Sequence, residues 1–185
     1  MNNLYLTNSL NNKKEVFNPI NPEKVSMYAC GPTVYDNPHV GNARALVVFD
    51  LLFRILIEIY GKQKVIYVRN ITDIDDKIIE ASKNKKIDIS DLTKTITKKF
   101  HNDCKSLFCL SPTKEPRATD HVIGMIKMTE KLISKKAAYE SKGHVYFSVA
   151  SFKNYGMLSN KNPDDLKAGA RIEVSKLKKD PLDFV

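Results

Sequence analysis

The strongest constraint on this chain lies between residues 25 and 72, where a long apolar helical pattern is framed by two short β-like runs. The first run, VSMYACG (25–31), closes in a Gly-Pro turn. The helical pattern covers 42–60. Asp50, Arg54 and Glu58 recur at every fourth position there and form one polar stripe with favourable neighbouring charges. Nearly every other position is apolar, which predicts a helix buried on most of its circumference, as in a layer of an α/β fold. Gly61 supplies the stop. QKVIYVRNIT (63–72), rich in β-branched and aromatic residues, is the second run. Strand, helix and strand at this spacing predict a parallel βαβ unit. A length of 185 residues suits one domain, or one domain carrying an insertion.

Further along, DIDDKIIEASKNKK (73–86) and DISDLTKTITKKFHNDCKSLF (88–108) follow the second run. The latter is an amphipathic helix pattern with Asp88 or Ser90 as its N-cap. Pro112 and Pro116 break the chain, and a helix is expected over 119–136. AYESKGHVYFSV (138–149) holds a Ser-Lys-Gly turn between two aromatic runs, a hairpin pattern. The polar tail, 151–185, with its KAGAR step, is expected to be irregular structure docked on the hairpin. It stops on the apolar DPLDFV with no terminating signal, as a piece of a longer chain would.

Composition narrows the classes. An apolar fraction of 42% supports a core, and a net charge of +9 favours polyanionic partners. Lys and Asn are abundant throughout, so charge alone does not select nucleic acid. Three cysteines and no leader-like N-terminus fit reduced thiols in the cytoplasm rather than a disulfide scaffold. The longest apolar stretch (45–61) carries three charges and does not read as a membrane span.

Three places carry chemistry. His39, Gly41 and Asn42 open the long helix at the first βα crossover, where free N–H groups and the positive dipole end favour an anion. Gly41 removes a Cβ from the approach of a nucleotide ring, while the imidazole and the amide are donors for phosphate. The plainer reading is a helix start with a capping His. Position beyond the carboxyl end of a strand favours the ligand reading. NITDIDDK (70–77) falls on the same rim. Its Asp75 and Asp76 read as helix caps rather than magnesium ligands, and Asp73 is left open. Cys30 closes the first strand and is read as a nucleophile with His39 as base, a zinc ligand, or a small buried hydrophobe. Cys104 and Cys109, five apart on a predicted helix, do not share a face and read as core residues. His101 and Cys104 make at most a weak pair, and His121 and His144 read as ordinary, partly exposed histidines.

Taken in order, YACGPTVYDNPHVGNAR, VRNITDIDDKII, EPRATDH, YGMLS, AGARIEV and DPLDF resemble the bacterial cysteinyl-tRNA synthetases, a class I aminoacyl-tRNA synthetase family, over nearly the whole chain. The resemblance implies a Rossmann-type (HUP-like) parallel sheet. Residues 1–110 would be the first half of the catalytic domain and 111–185 a connective insertion of helix and hairpin. It implies activation of L-cysteine with Mg-ATP to cysteinyl-adenylate and transfer to tRNA(Cys), by a monomer in the cytoplasm. Carried over by position, His39 and Asn42 are the catalytic pair, matching the HIGH signature with Asn in place of its second His. Gly31, Pro32, Thr33, His39, Gly41, Asn42, Asn70, Ile71 and Thr72 would bind ATP or the adenylate. Cys30 and Thr72 would meet the substrate cysteine, with Cys30 one ligand of a zinc ion. The family's other zinc ligands, its KMSKS loop, the second half of its nucleotide fold and its anticodon-binding domain are expected beyond residue 185, so this piece is expected to be inactive alone. A soft metal separates cysteine from serine where size cannot. Mycothiol ligase, a non-catalytic nucleotide- or tRNA-binding module and a cytidylyltransferase-like enzyme are the competing readings. The synthetase reading rests on one geometric expectation: Cys30 and His39 face a shared pocket.

Overall fold

The computed structural model describes residues 3–160 and 176–185. In chain order the elements are β1 (Tyr5–Asn8), β2 (Lys13–Val16), β3 (Val25–Ala29), α1 (Val40–Tyr60), β4 (Val65–Arg69), α2 (Asp76–Lys85), α3 (Ile89–Ser106), α4 (Val122–Ser134), β5 (Ala138–Ser141) and β6 (His144–Phe147). They fall into two units, Pro19–Val122 on the one hand and Met1–Asn18 with Ile123–Val185 on the other.

The unit Pro19–Val122 is built on the expected βαβ. β3 and β4 pair in parallel, from Val25 opposite Val65 to Ala29 opposite Arg69, and α1 is the crossover. Alternation places Val25, Ala29, Val65, Tyr67 and Arg69 in the interior. The break expected at Pro112 and Pro116 is instead a third parallel line beside β4. Lys114 bridges Val68 and Arg117 bridges Ile71. Pro116 has no N–H to give, but its carbonyl accepts from Ile71 N at 2.9 Å, so a proline is tolerated on this edge.

α3 forms the main wall of the core. Leu92, Ile96, Phe100 and Cys104 repeat every fourth residue and pack with Ile78 of α2, Ile71 and Val34. Asp75 and Asp88 cap α2 and α3 by accepting from Lys77 N and Ser90 N. Asp88, not Ser90, is therefore the cap.

α1 departs from expectation. Only Phe53 and Leu56 are buried, while Val40, Val47, Val48 and Leu51 are exposed. The parallel sheet of this unit covers one side of the helix and leaves an apolar face open. The polar stripe, conversely, is used internally. Asp50 pairs with Arg54 at 2.7 Å and accepts from Leu110 N, while Arg54 donates to Phe108 O. These bonds tie the chain after α3 to α1.

In the other unit, β1 and β2 form an antiparallel hairpin, Tyr5 opposite Val16, which the sequence reading did not assign. β5 and β6 form the expected hairpin. Lys142 (φ 49°) and Gly143 (φ 82°) make its turn, as a two-residue primed turn requires. The described end of the tail, 176–185, docks on it. Phe147 N donates to Phe184 O, and Asp183, 1% exposed, accepts from the Tyr139 hydroxyl, Val149 N and Asp180 N. The AGARIEV segment lies outside the described residues. Among the described residues no helix is long and apolar enough to cross a membrane.

Candidate functional site

The carboxyl ends of β3 and β4 are zipped together by the two segments the sequence singled out. Thr72 N donates to Pro32 O at 3.0 Å, and Val34 N to Thr72 O at 3.1 Å. Gly31 N donates to Asn70 Oδ1 at 2.8 Å, and Asn70 Nδ2 donates to Thr72 Oγ1 at 3.1 Å. Position 31 admits only glycine. A Cβ there would stand 1.6 Å from Asn70 O, an overlap that backbone cannot relieve. Asn70 and Thr72 thus hold the turn carrying Gly31, Pro32 and Thr33 in place. Ile71 is different: its side chain is in the core and its N–H and C=O are bonded to Pro116 and Ala118.

α1 begins at a reciprocal cap. His39 is the N-cap, with Nδ1 accepting from Gly41 N at 3.1 Å, while His39 N donates to Asn42 Oδ1 at 3.0 Å. Both side chains spend an acceptor on the helix. In the neutral ring with Nδ1 accepting, the proton sits on Nε2, so His39 Nε2–H and the Asn42 amide Nδ2–H₂ are left as donors. No acidic residue lies in the first turn of α1, and Asp36, which lines the same hollow, is paired with Lys85. The capping reading and the ligand reading of this step are therefore compatible. Gly41 has a local reason of its own: a Cβ would come 2.8 Å from His39 Cε1.

Two adjoining hollows meet at this point. One, of about 230 Å³, is lined by Gly31, Pro32, Thr33, His39 and Asn42 together with the 35–38 loop, Ile96 and Phe100. A smaller one, of about 70 Å³, has Cys30, Gly31, Pro32 and Asn42 beside Phe49, Arg69 and Phe100. Cys30 and His39 therefore line neighbouring hollows that share Gly31, Pro32, Asn42 and Phe100, rather than a single one. Phe100 and Ile96, sixty residues downstream of the motif, escaped the sequence reading as site residues. Their signal was the apolar stripe of α3, which reads as core and also floors the hollow. The 35–38 loop was likewise missed. Lys85 reaches Asp36 at 3.3 Å, Lys99 reaches Asn37 at 3.1 Å, and Lys77 lies over the Tyr35 ring.

Asp73 proves to be structural. It is 6% exposed, and it accepts from Thr119 N, Thr119 Oγ1 and Arg117 Nε at 2.7–3.0 Å. Burial alone would raise its carboxyl, but the Thr119 hydrogen bonds and the Arg117 guanidinium prevail and hold it below the usual carboxylate range. Cys30 is exposed, which sets aside the buried-hydrophobe reading. Among the described residues no group of three or more His, Cys, Asp or Glu could hold a metal ion. Cys30 by itself does not make a zinc site. His101, weighed as a partner for Cys104, pairs with Glu115 at 2.6 Å.

Comparison with known proteins bears on the same residues. The family model for "tRNA synthetases class I (C) catalytic domain" matches residues 16–185. A cysteine–tRNA ligase of Pelagibacter ubique (strain HTCC1062) is 56% identical over 182 residues, 98% of this chain and 40% of that protein. The cysteine–tRNA ligase of Rickettsia prowazekii (strain Madrid E) is 54% identical over 182 residues, again 98% of this chain and 40% of the relative. That of Methylocella silvestris is 54% identical over 178 residues, 96% of this chain and 40% of the relative. The chain thus spans about two-fifths of the length of these relatives.

Proposed function

Since the chain belongs to the class I (C) tRNA synthetase catalytic-domain family, we propose that it supplies the first part of a cysteine–tRNA ligase. That ligase joins L-cysteine to ATP as cysteinyl-adenylate and passes the acyl group to tRNA(Cys). One observation carries the reading: the cap of α1 consumes the acceptors of His39 and Asn42 and leaves their N–H groups as donors at an acid-free helix start, one hollow away from an exposed thiol.

In the first step a carboxylate oxygen of cysteine attacks the α-phosphorus of ATP, and the bond to pyrophosphate breaks. The carboxylate is already ionised, so no side chain has to remove a proton. What the protein supplies is position and fixed dipoles. His39 Nε2–H and the Asn42 amide donate to phosphate oxygens, and the dipole of α1 adds positive potential. Gly31, Pro32 and Thr33 line the nucleotide side, held by Asn70 and Thr72 behind them, while Gly41 lines neither hollow and leaves room for the His39 ring. Ile71 supports this wall from the core. Magnesium arriving with ATP neutralises phosphate charge. Cys30 lines the hollow on the amino-acid side, while Thr72, expected beside it, lines neither hollow and accepts from Asn70 Nδ2. A zinc ion there would take Cys30 as one ligand and would need others from outside the described residues. In this reading residues 1–110 are the first nucleotide-fold half and 111–185 the connective insertion. The working form is a monomer in the cytoplasm.

A chimera tests this. Residues 1–185 replace the matching part of the Pelagibacter ubique ligase, and cysteine-dependent ATP–pyrophosphate exchange is measured. Exchange that needs cysteine and is not supported by serine is expected. A folded chimera that exchanges without cysteine, or not at all, refutes the proposal.

A further inference from the structure

Two of the three thiols have no part in the proposed chemistry. Cys104 and Cys109 stand five apart in sequence, which on a continuous helix would put them on different faces. The helix does not continue. α3 ends at Ser106, and Phe108 takes a left-handed conformation, φ 56°. Phe108 N donates to Lys105 O and Cys109 N to Cys104 O, both at 3.0 Å. This nested pair of bonds is a Schellman cap, and it folds the residue after the left-handed one back onto the last turn, side chain against side chain. Cys109 accordingly packs against the core cluster that contains Cys104. The 3.0 Å bond from Cys109 N to Cys104 O brings the two backbones together, the close approach that a disulfide requires.

Both thiols line one cleft of about 860 Å³, open to solvent, with Arg54, Arg69, His101 and Glu115. Cys104 is buried and Cys109 half-buried, so Cys109 is the one an oxidant meets first. Arg69 Nη1 points to Cys104 Sγ at 3.7 Å, a fixed positive charge beside the sulfur that must ionise second. Among the described residues no third ligand completes a metal set with this pair, and His101 is engaged by Glu115.

We propose that Cys104 and Cys109 are an oxidisable dithiol, which closes to an intramolecular disulfide at the C-terminus of α3 with a small disulfide such as glutathione disulfide as oxidant. The Cys109 thiolate attacks one sulfur of glutathione disulfide and releases one glutathione thiolate. The Cys104 thiolate then attacks the Cys109 sulfur and displaces the second. Two protein thiols and one small disulfide become one protein disulfide and two glutathione thiols, which take up the two protons. Burial pushes both thiols up, against the opposing pull of Arg69 at Cys104, so exchange is slow near neutrality and quickens as pH rises. This inference stands apart from the reading of the candidate site.

The test uses the Cys30→Ser chain, so that the exposed thiol does not compete. The chain is equilibrated with glutathione redox buffers, alkylated and mapped by mass spectrometry, folded and in guanidinium. Any two cysteines this close in sequence can join when unfolded, so the comparison decides. The cap predicts a Cys104–Cys109 link whose equilibrium constant is about tenfold higher in the folded chain than in denaturant. An equal or lower constant when folded overturns the proposal. So does accumulation of glutathione on Cys109 without the link, or disulfide-linked dimers in its place.

Discussion

At Gly41 two demands meet on one residue. A Gly-to-Ala change at a free helix position stabilises by about 1 kcal/mol. Here the new Cβ would lie 2.8 Å from the His39 imidazole and displace the cap, which forfeits about 1 kcal/mol. Gly41→Ala is therefore expected to leave the thermal midpoint of the 185-residue chain nearly unchanged, while the same change in a His39→Ala background raises it. An equal gain in both backgrounds shows that the ring is not held as described. Asp73 gives a second prediction at this scale. Its folded-state carboxyl is depressed by Thr119 and Arg117, so the stability it contributes is present above the unfolded carboxylate value of about 4 and is lost as pH falls through the lower folded value. Asp73→Ala should cost about 2 kcal/mol in denaturant titrations at pH 7, and the difference from the parent chain should shrink below about pH 4. That Gly31, His39 and Asn42 line one hollow was legible, because they sit at element junctions whose chemistry is local, while Gly41, Asn70, Ile71 and Thr72 line neither hollow. The role of Asp73 was not, because its partners lie more than forty residues away.

Elements with a strong internal period were read correctly from the sequence. The β3–α1–β4 unit, α3 and the β5–β6 hairpin each announce themselves within a short window. The β1–β2 hairpin does not, because its strands are four residues long, mostly polar and largely exposed. The end of α3 was misread for a related reason. No glycine marks it, and Phe108 takes the left-handed position unaided. α3 itself does double service, walling the core and flooring both hollows through Phe100. Phe100→Ala is expected to cost about 3–5 kcal/mol. The milder Phe100→Leu should retain the fold and still weaken ATP binding, measured as a shift in the ATP concentration that half-saturates exchange by the chimera. No change in that concentration would mean that Phe100 is core alone.

On the scale of the molecule, the open apolar face of α1 is the feature that sequence alone misjudged. The pattern of 42–60 is that of a helix enclosed by neighbours, and within these residues the sheet covers only one side of it. The chain spans about two-fifths of the length of these relatives, and we propose that in the Pelagibacter ubique ligase the rest of that protein encloses the equivalent face. Leu51→Lys, at a position 59% exposed, should therefore shift the stability of the 185-residue chain by no more than about 0.5 kcal/mol, yet destabilise the Pelagibacter chimera markedly. Equal effects on both would mean that the face stays in water. The central claim is that the imidazole at the start of α1 serves the triphosphate while the thiol at the end of β3 serves the amino acid. The most direct measurement compares His39→Ala with Cys30→Ser in the chimera, by adenylate-formation rate and half-saturating cysteine concentration. His39→Ala should lower the maximal rate about 100-fold with little change for cysteine, and Cys30→Ser should raise the cysteine requirement and erode rejection of serine. Matching losses from the two changes in both quantities would contradict the account.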